Sequence, residues 1–375
     1  MTAAGTAPDP KRYHAIRTAL AVAGTLELIL ILAVLQTGPF AAKLAGWAGD
    51  LFPEAFYLQV LLVAAVLNGL LYLLLFPQTW YLGWRLEKQY GLSNQGAGRW
   101  FGDELKSALL SFGLGVLLAE AFYGLVRRWP EGWAAVFAAV WAAALFVVAA
   151  VFPAVIVPMF YPMKRLPEGA ERDRLLGLAA RLGARARDVY EIALSRKTRK
   201  ANAAVMGIGP LRRIVIGDTL LGRFEPEEVD AVLSHEIGHY VRGHTWLLIF
   251  FYLGAGTAAI FLLRRLQGPF AAAFGAGGLG DLRLCPALLL VITLAQAVFM
   301  PAANAFSRRL EREADAFALE AMRSREGFVS AMRKLASQNL ADTDPPAWVE
   351  WLFYSHPSIS RRIRFAEDYF AVSEP

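Results

Sequence analysis

Ser234-His235-Glu236-Ile237-Gly238-His239 is the stretch on which the rest of the chain is organised. It contains His235, Glu236 and His239 in an H-E-x-x-H pattern. On a helix, positions i and i+4 lie one above the other, so two imidazole nitrogens can face a single ion. Glu236 is turned about 100° away from His235, which keeps it off the ion but within reach of a water beside it. Two donors and a separate general base are what a hydrolytic metal site needs. A chance match in a chain this long is on the order of a one per cent event.

The flanking residues put this motif on a helix. Glu225-Pro226-Glu227-Glu228 carries a helix-start signature, with Pro near the first helical position and carboxylates at the positive end of the dipole. Val229, Val232, Leu233, Ile237, Tyr240 and Val241 recur at helical spacing beside the histidines. The site is therefore expected to be half-buried. A buried histidine pair with neither metal nor partner would be costly.

The chain has 375 residues, of which 56% are hydrophobic, and a mean hydropathy of +0.40. Soluble chains are less apolar, and here the excess lies in long runs, as in an integral membrane protein. The formal charge of +6 fits cationic flanks of membrane segments better than a nucleic-acid surface. Cys285 is the single cysteine, which excludes an intrachain disulfide and a cysteine-based zinc site.

Apolar runs at 19–35, 57–80, 105–126, 133–160, 246–263 and 286–306 predict about six transmembrane helices in a mainly α chain. Residues 1–160 hold the first four, with a loop containing Gly and Pro after the first and an amphipathic connection at 82–106 suited to the membrane interface. Residues 161–243 have a soluble composition: a helix at 171–184, short strands at 189–194, 203–206 and 214–216, then the motif helix. Residues 244–306 return to the membrane, with a glycine-rich loop at 264–284 between the runs. Residues 307–375 begin with a charged helix at 307–322 and a second at 325–337, and end in a basic helix from Ser360. With the N-terminus inside, most Lys and Arg fall on the cytoplasmic side. The two soluble pieces are each small for an independent core, so they are expected to form one split domain.

A catalytic zinc takes three protein ligands and keeps a fourth position open. In Arg309-Leu310-Glu311-Arg312-Glu313-Ala314-Asp315, Glu311 and Asp315 are i,i+4 on one helix face. Glu311 is then the expected third ligand, and Asp315 can fix the tautomer of a ligating histidine. Glu313 is the second choice, and a solvated charged helix is the plainer alternative. His356 and Arg362 could stabilise an oxyanion, or equally be a capping histidine and a surface arginine. His244 is expected at the membrane entry, because Arg242 and Thr245 stand where an extended zinc motif needs Gly and His. Glu27, Glu120, Asn68 and Gln296 sit inside apolar runs, as in a bundle with a polar interior.

With these residues in place, the chain resembles the M48 metalloproteases, in the Ste24 branch of CAAX prenyl proteases. The resemblance runs through Glu87-Lys88-Gln89-Tyr90-Gly91-Leu92-Ser93, Lys200-Ala201-Asn202-Ala203 and Arg213-Ile214-Val215-Ile216-Gly217-Asp218. It continues through the Ser234–His239 motif, the Glu311 segment and Tyr354-Ser355-His356-Pro357. It implies a split gluzincin-like zinc protease domain with a small β-sheet, and transmembrane helices ringing a chamber. It also implies one Zn2+ per chain, held by His235, His239 and Glu311, with Glu236 as base. His356 and Arg362 would lie beside the substrate, and the strand at Asn202 and Ala203 would pair with it. The best-known eukaryotic members have seven spans, one more than expected here. Arg199-Lys200-Ala201 also replaces the more usual small polar residues.

The expected function is an integral-membrane zinc metalloendopeptidase acting on a peptide or protein substrate in the lipid bilayer, with no nucleic acid partner. The resemblance implies removal of the C-terminal tripeptide from prenylated proteins. The composition has a prokaryotic look, pointing to a plasma membrane with the active-site domain on the cytoplasmic side. One alternative is quality control of damaged membrane proteins, as in the HtpX branch. Another is a non-catalytic binding protein with a structural zinc, which would need a fourth protein ligand.

Overall fold

Residues 8–207, 212–322 and 324–373 are described by the computed structural model. Each long apolar run is a helix, since only a helix satisfies its own backbone polar groups in hydrocarbon. Among the described residues, six helices are long and apolar enough to cross a membrane. They are Pro10–Thr37, Phe56–Gln89, Ala97–Arg128, Trp133–Phe160, His244–Ala273 and the helix ending at Met322.

Three segments differ from expectation. The stretch after the first run holds a helix, Phe40–Leu51, whose Ala41, Leu44 and Ala48 are buried. Its glycines and short length read as a loop, but packing against the 282–288 region supplies the missing stability. The segment at 82–106 is not one amphipathic helix. Its first part prolongs the second span through a π-helical turn at Tyr81–Arg85, and its last part opens the third span. Between them the chain turns at Gly91, whose φ of +69° suits a residue without a Cβ. The glycine-rich loop is shorter than expected, because the fifth span runs on to Ala273 despite Pro269.

The last span and the charged helix after it are one continuous helix, Cys285–Met322. At 38 residues it is about 57 Å long, almost twice the hydrocarbon thickness of about 30 Å. Its apolar half suits the bilayer, and its charged half projects beyond as a rigid arm carrying Glu311 and Asp315.

Outside the spans, β1 (Met163–Arg165), β2 (Asp188–Ile192), β3 (Ala203–Met206) and β4 (Arg213–Gly217) form a four-stranded sheet in the order β1-β2-β4-β3. Only β2 and β4 are parallel. β1 gave no sequence signal, being three residues of Met-Lys-Arg. Ile214 and Ile216 of β4 share one hydrophobic core with Leu233 and Ile237 of the motif helix and with Phe328 and Met332. The soluble pieces before and after the last two spans thus bury their apolar faces against each other.

The motif helix, Pro226–Val241, begins as its sequence predicts, with Pro226 in the first turn and a capping box between Glu225 and Glu228. Buried Glu228 also accepts hydrogen bonds from Ser330 Oγ at 2.6 Å and Lys334 Nζ at 2.7 Å. Those bonds fix the helix start against the helix Arg325–Asn339. Of the polar residues in the apolar runs, Glu27, Asn68 and Gln296 are exposed and Glu120 is half-buried.

Candidate active site

The motif helix presents His235 and His239 as their spacing requires, with Nε2 atoms 3.2 Å apart. The arm of the long helix crosses it at Gly238. A Cβ there would lie 3.1 Å from Phe317 Cδ1 and 3.3 Å from the Ala314 backbone. A side chain at 238 would have to push Phe317 or the crossing helix back by a few tenths of an ångström. Gly238→Val is expected to cost about 1–3 kcal/mol of stability through overpacking and to weaken metal binding with it. Denaturant unfolding and a zinc titration of the variant would check both.

The crossing brings Glu311 to the histidines. Its Oε2 lies 3.3 Å from His235 Nε2 and its Oε1 3.3 Å from His239 Nε2. A tetrahedral ion with bonds of about 2.0 Å has donor–donor edges of about 3.3 Å. The His–His edge, at 3.2 Å, matches that size, and each histidine nitrogen has one of the two Glu311 oxygens at 3.3 Å. Among the described residues, these three form the group of His, Cys, Asp or Glu side chains able to hold a metal ion. Glu311 is buried, and its Oε2 makes no hydrogen bond there, as suits an oxygen facing a cation. The donor set fits a tetrahedral dication with one position left over.

Asp315, fully buried one turn along from Glu311, accepts from His235 Nδ1 at 2.8 Å. Arg362 of the C-terminal helix Ile359–Ser373 holds that carboxylate from the other side, through Nε at 2.9 Å and Nη2 at 2.5 Å. Arg362 Nη2 is also 3.2 Å from His235 Nδ1. Since the ring proton points to Asp315, that contact is proximity and not a hydrogen bond. Burial and Arg362 disfavour the His235 imidazolium, but Asp315 and Glu311 outweigh them and push its pKa up to about 9. A ring that basic can take a cation in place of its proton.

Glu236 is half-buried, and among the described residues nothing hydrogen-bonds its carboxylate. Burial, with Glu311 adding to it, raises its pKa above the usual carboxylate range, while His235, His239 and Arg362 oppose. His356 places Nε2 3.2 Å from Glu311 Oε1, with most of its side chain exposed. β3 is an edge strand beside the motif helix, with Asn202 exposed just before it and Ala203 buried in it.

His244 is the first residue of the fifth candidate span, and it is buried at 1% exposure, with Nδ1 2.9 Å from His239 Nδ1. Glu313 does not join the donor set but faces His244 Nε2 at 3.4 Å. The spacing alone hid His244, because the chain doubles back at Gly243 between two helices.

Residues 167–369 match the family model described as Peptidase family M48. The chain belongs to peptidase family M48. Residues 11–162 match the model described as CAAX prenyl protease N-terminal, five membrane helices; this chain has four candidate spans over the same stretch. The chain is 31% identical to an uncharacterized metalloprotease, YhfN, of Bacillus subtilis, over 95% of this chain and 84% of that one. It is 25% identical to CAAX prenyl protease 1 of Saccharomyces cerevisiae, over 89% of this chain and 81% of that one. Its fold is similar to the crystal structure of S. mikatae Ste24p, with a TM-score of 0.83 at 21% identity, covering 96% of this chain and 88% of that one. With its six candidate spans, this M48 member is an integral-membrane metalloprotease. M48 membership gives the His-His-Glu group a metal to hold.

Proposed function

We propose that this M48 protein is a zinc endopeptidase that cleaves prenylated CaaX-type C-termini. The cluster of His235, His239 and Glu311, with one donor atom from each within 4.8 Å of the others, carries the zinc assignment. These three residues hold the ion, one per chain, and a bound zinc supplies Lewis acidity to a water and to the scissile carbonyl. Glu236, unpartnered beside the cluster, takes the proton from the attacking water and hands it to the leaving amine. Asp315 holds the His235 Nδ1 proton, so that Nε2 stays free for the ion. His356 stabilises the oxyanion, and Arg362, bound to Asp315 behind His235, adds its positive charge from there. The edge of β3 offers its backbone to an extended substrate, with Asn202 at its start. The names of the relatives support the prenylated substrate, and the Lys and Arg distribution supports a cytoplasmic active site.

Purified protein in detergent should cleave a farnesylated CaaX peptide faster than its unprenylated twin, with Glu236→Gln as the blank. Equal cleavage of both would keep the protease and move the substrate to membrane proteins in general, as in quality control. No Glu236-dependent cleavage of either would overturn the proposal.

A further inference from the structure

His235 and His239 both turn Nε2 toward Glu311, but the groups behind them differ. Behind His235 stands the Asp315 carboxylate. Behind His239 stands a third imidazole, His244, with its Nδ1 2.9 Å away and 1% of its surface exposed. Its position follows from local backbone. The motif helix ends at Val241, Gly243 takes a left-handed φ of +68°, and the next helix starts at His244. That reversal folds His244 back over the last turn it has just left.

Two facing Nδ1 atoms share one proton, so one ring donates and the other accepts. A neutral imidazole carries a single N–H. If His239 gives Nε2 to a cation, its proton is on Nδ1, and His239 is the donor. His244 then accepts at Nδ1 and carries its own proton on Nε2. That nitrogen faces Glu313 Oε2 at 3.4 Å, and Glu313 accepts from Arg309 Nε at 3.1 Å through its other oxygen. The His239 proton therefore has an acceptor that lies away from the donor set, and the His244 proton faces the Glu313 carboxylate without a formed hydrogen bond.

We propose that His244 is a positioning residue for His239, backed by Glu313, in the way that Asp315 positions His235. It touches neither substrate nor the reacting atoms. The inference rests on the zinc reading above and extends it to a residue outside the H-E-x-x-H pattern. A packing role alone would need only the shape of the ring. A positioning role needs an acceptor at Nδ1, and Asn supplies one at nearly the same place in its Oδ1.

The test uses the full-length protein in detergent and reads metal, not turnover. Zinc affinity is measured by chelator competition, and the ligand field by the absorption of the cobalt(II)-loaded protein. Thermal unfolding of the metal-stripped protein serves as the folding control. His244→Leu should lose about 10–100-fold in zinc affinity and alter the cobalt spectrum, while His244→Asn recovers most of both. Glu313→Ala, at a half-exposed position, should lose less but in the same direction. Folded His244→Leu with wild-type affinity would overturn the proposal, and so would His244→Asn failing as badly as Leu. If His244→Leu does not fold, the Asn and Glu313→Ala variants decide: wild-type zinc affinity in Glu313→Ala, or a loss of about 10–100-fold in Asn, overturns it. Should zinc binding in the wild-type protein not depend on Glu311, the zinc reading itself fails. If it does depend on Glu311 and is indifferent to His244, only this assignment fails.

Discussion

Glu236→Gln is expected to leave the protein folded and metal-loaded while turnover falls by about 10²–10⁴-fold. Gln has nearly the same shape as Glu but cannot accept a proton from water at any working pH. The loss corresponds to about 3–5 kcal/mol of transition-state stabilisation. Stability should hardly change, because no hydrogen bond among the described residues depends on the Glu236 carboxylate. Its neighbours His235, His239 and Glu311 keep their mutual geometry without it. The measurement pairs kcat on a cleavable peptide with zinc content per chain. Near-wild-type kcat with full zinc would remove Glu236 from the role of base.

The second large effect is expected for Glu311→Ala, and here the metal itself should go. Glu311 supplies the one carboxylate of the donor set, and both of its oxygens lie 3.3 Å from a histidine nitrogen. Without it two imidazoles remain, too few for a tight zinc site. Zinc per chain should fall from one toward zero, and peptide cleavage with it. A thermal test gives an independent view. Zinc added back to stripped wild-type protein should raise its unfolding temperature by mass action, and the variant should show no such rise. Retention of one tightly held zinc by folded Glu311→Ala would sink the third-ligand assignment.

Much of this site is legible in linear sequence because its geometry is helical. His235 and His239, or Glu311 and Asp315, need only a spacing of four to share a face. The spans are equally legible, since a run of about 20 apolar residues has few other fates. The misreadings share a cause. Phe40–Leu51 is too short to span, carries two glycines, and is helical because the 282–288 region covers it. β1 is a strand because β2 offers it a partner, not because Met-Lys-Arg prefers one. His244 fits no extended zinc motif along the chain, yet the turn at Gly243 brings it back to His239.

By itself, then, the sequence determined the elements whose reasons are local: the helical runs, the capped start of the motif helix, the paired donors on each face. Tertiary structure alone decided how those faces meet. It placed the arm of the long helix against Gly238, near enough for the Glu311 carboxylate to reach both histidines, and it put Arg362 behind Asp315 and His244 behind His239. The physical reason is that spacing along a helix sets which side chains share a face, whereas contact across helices is set by the packing of the core between them.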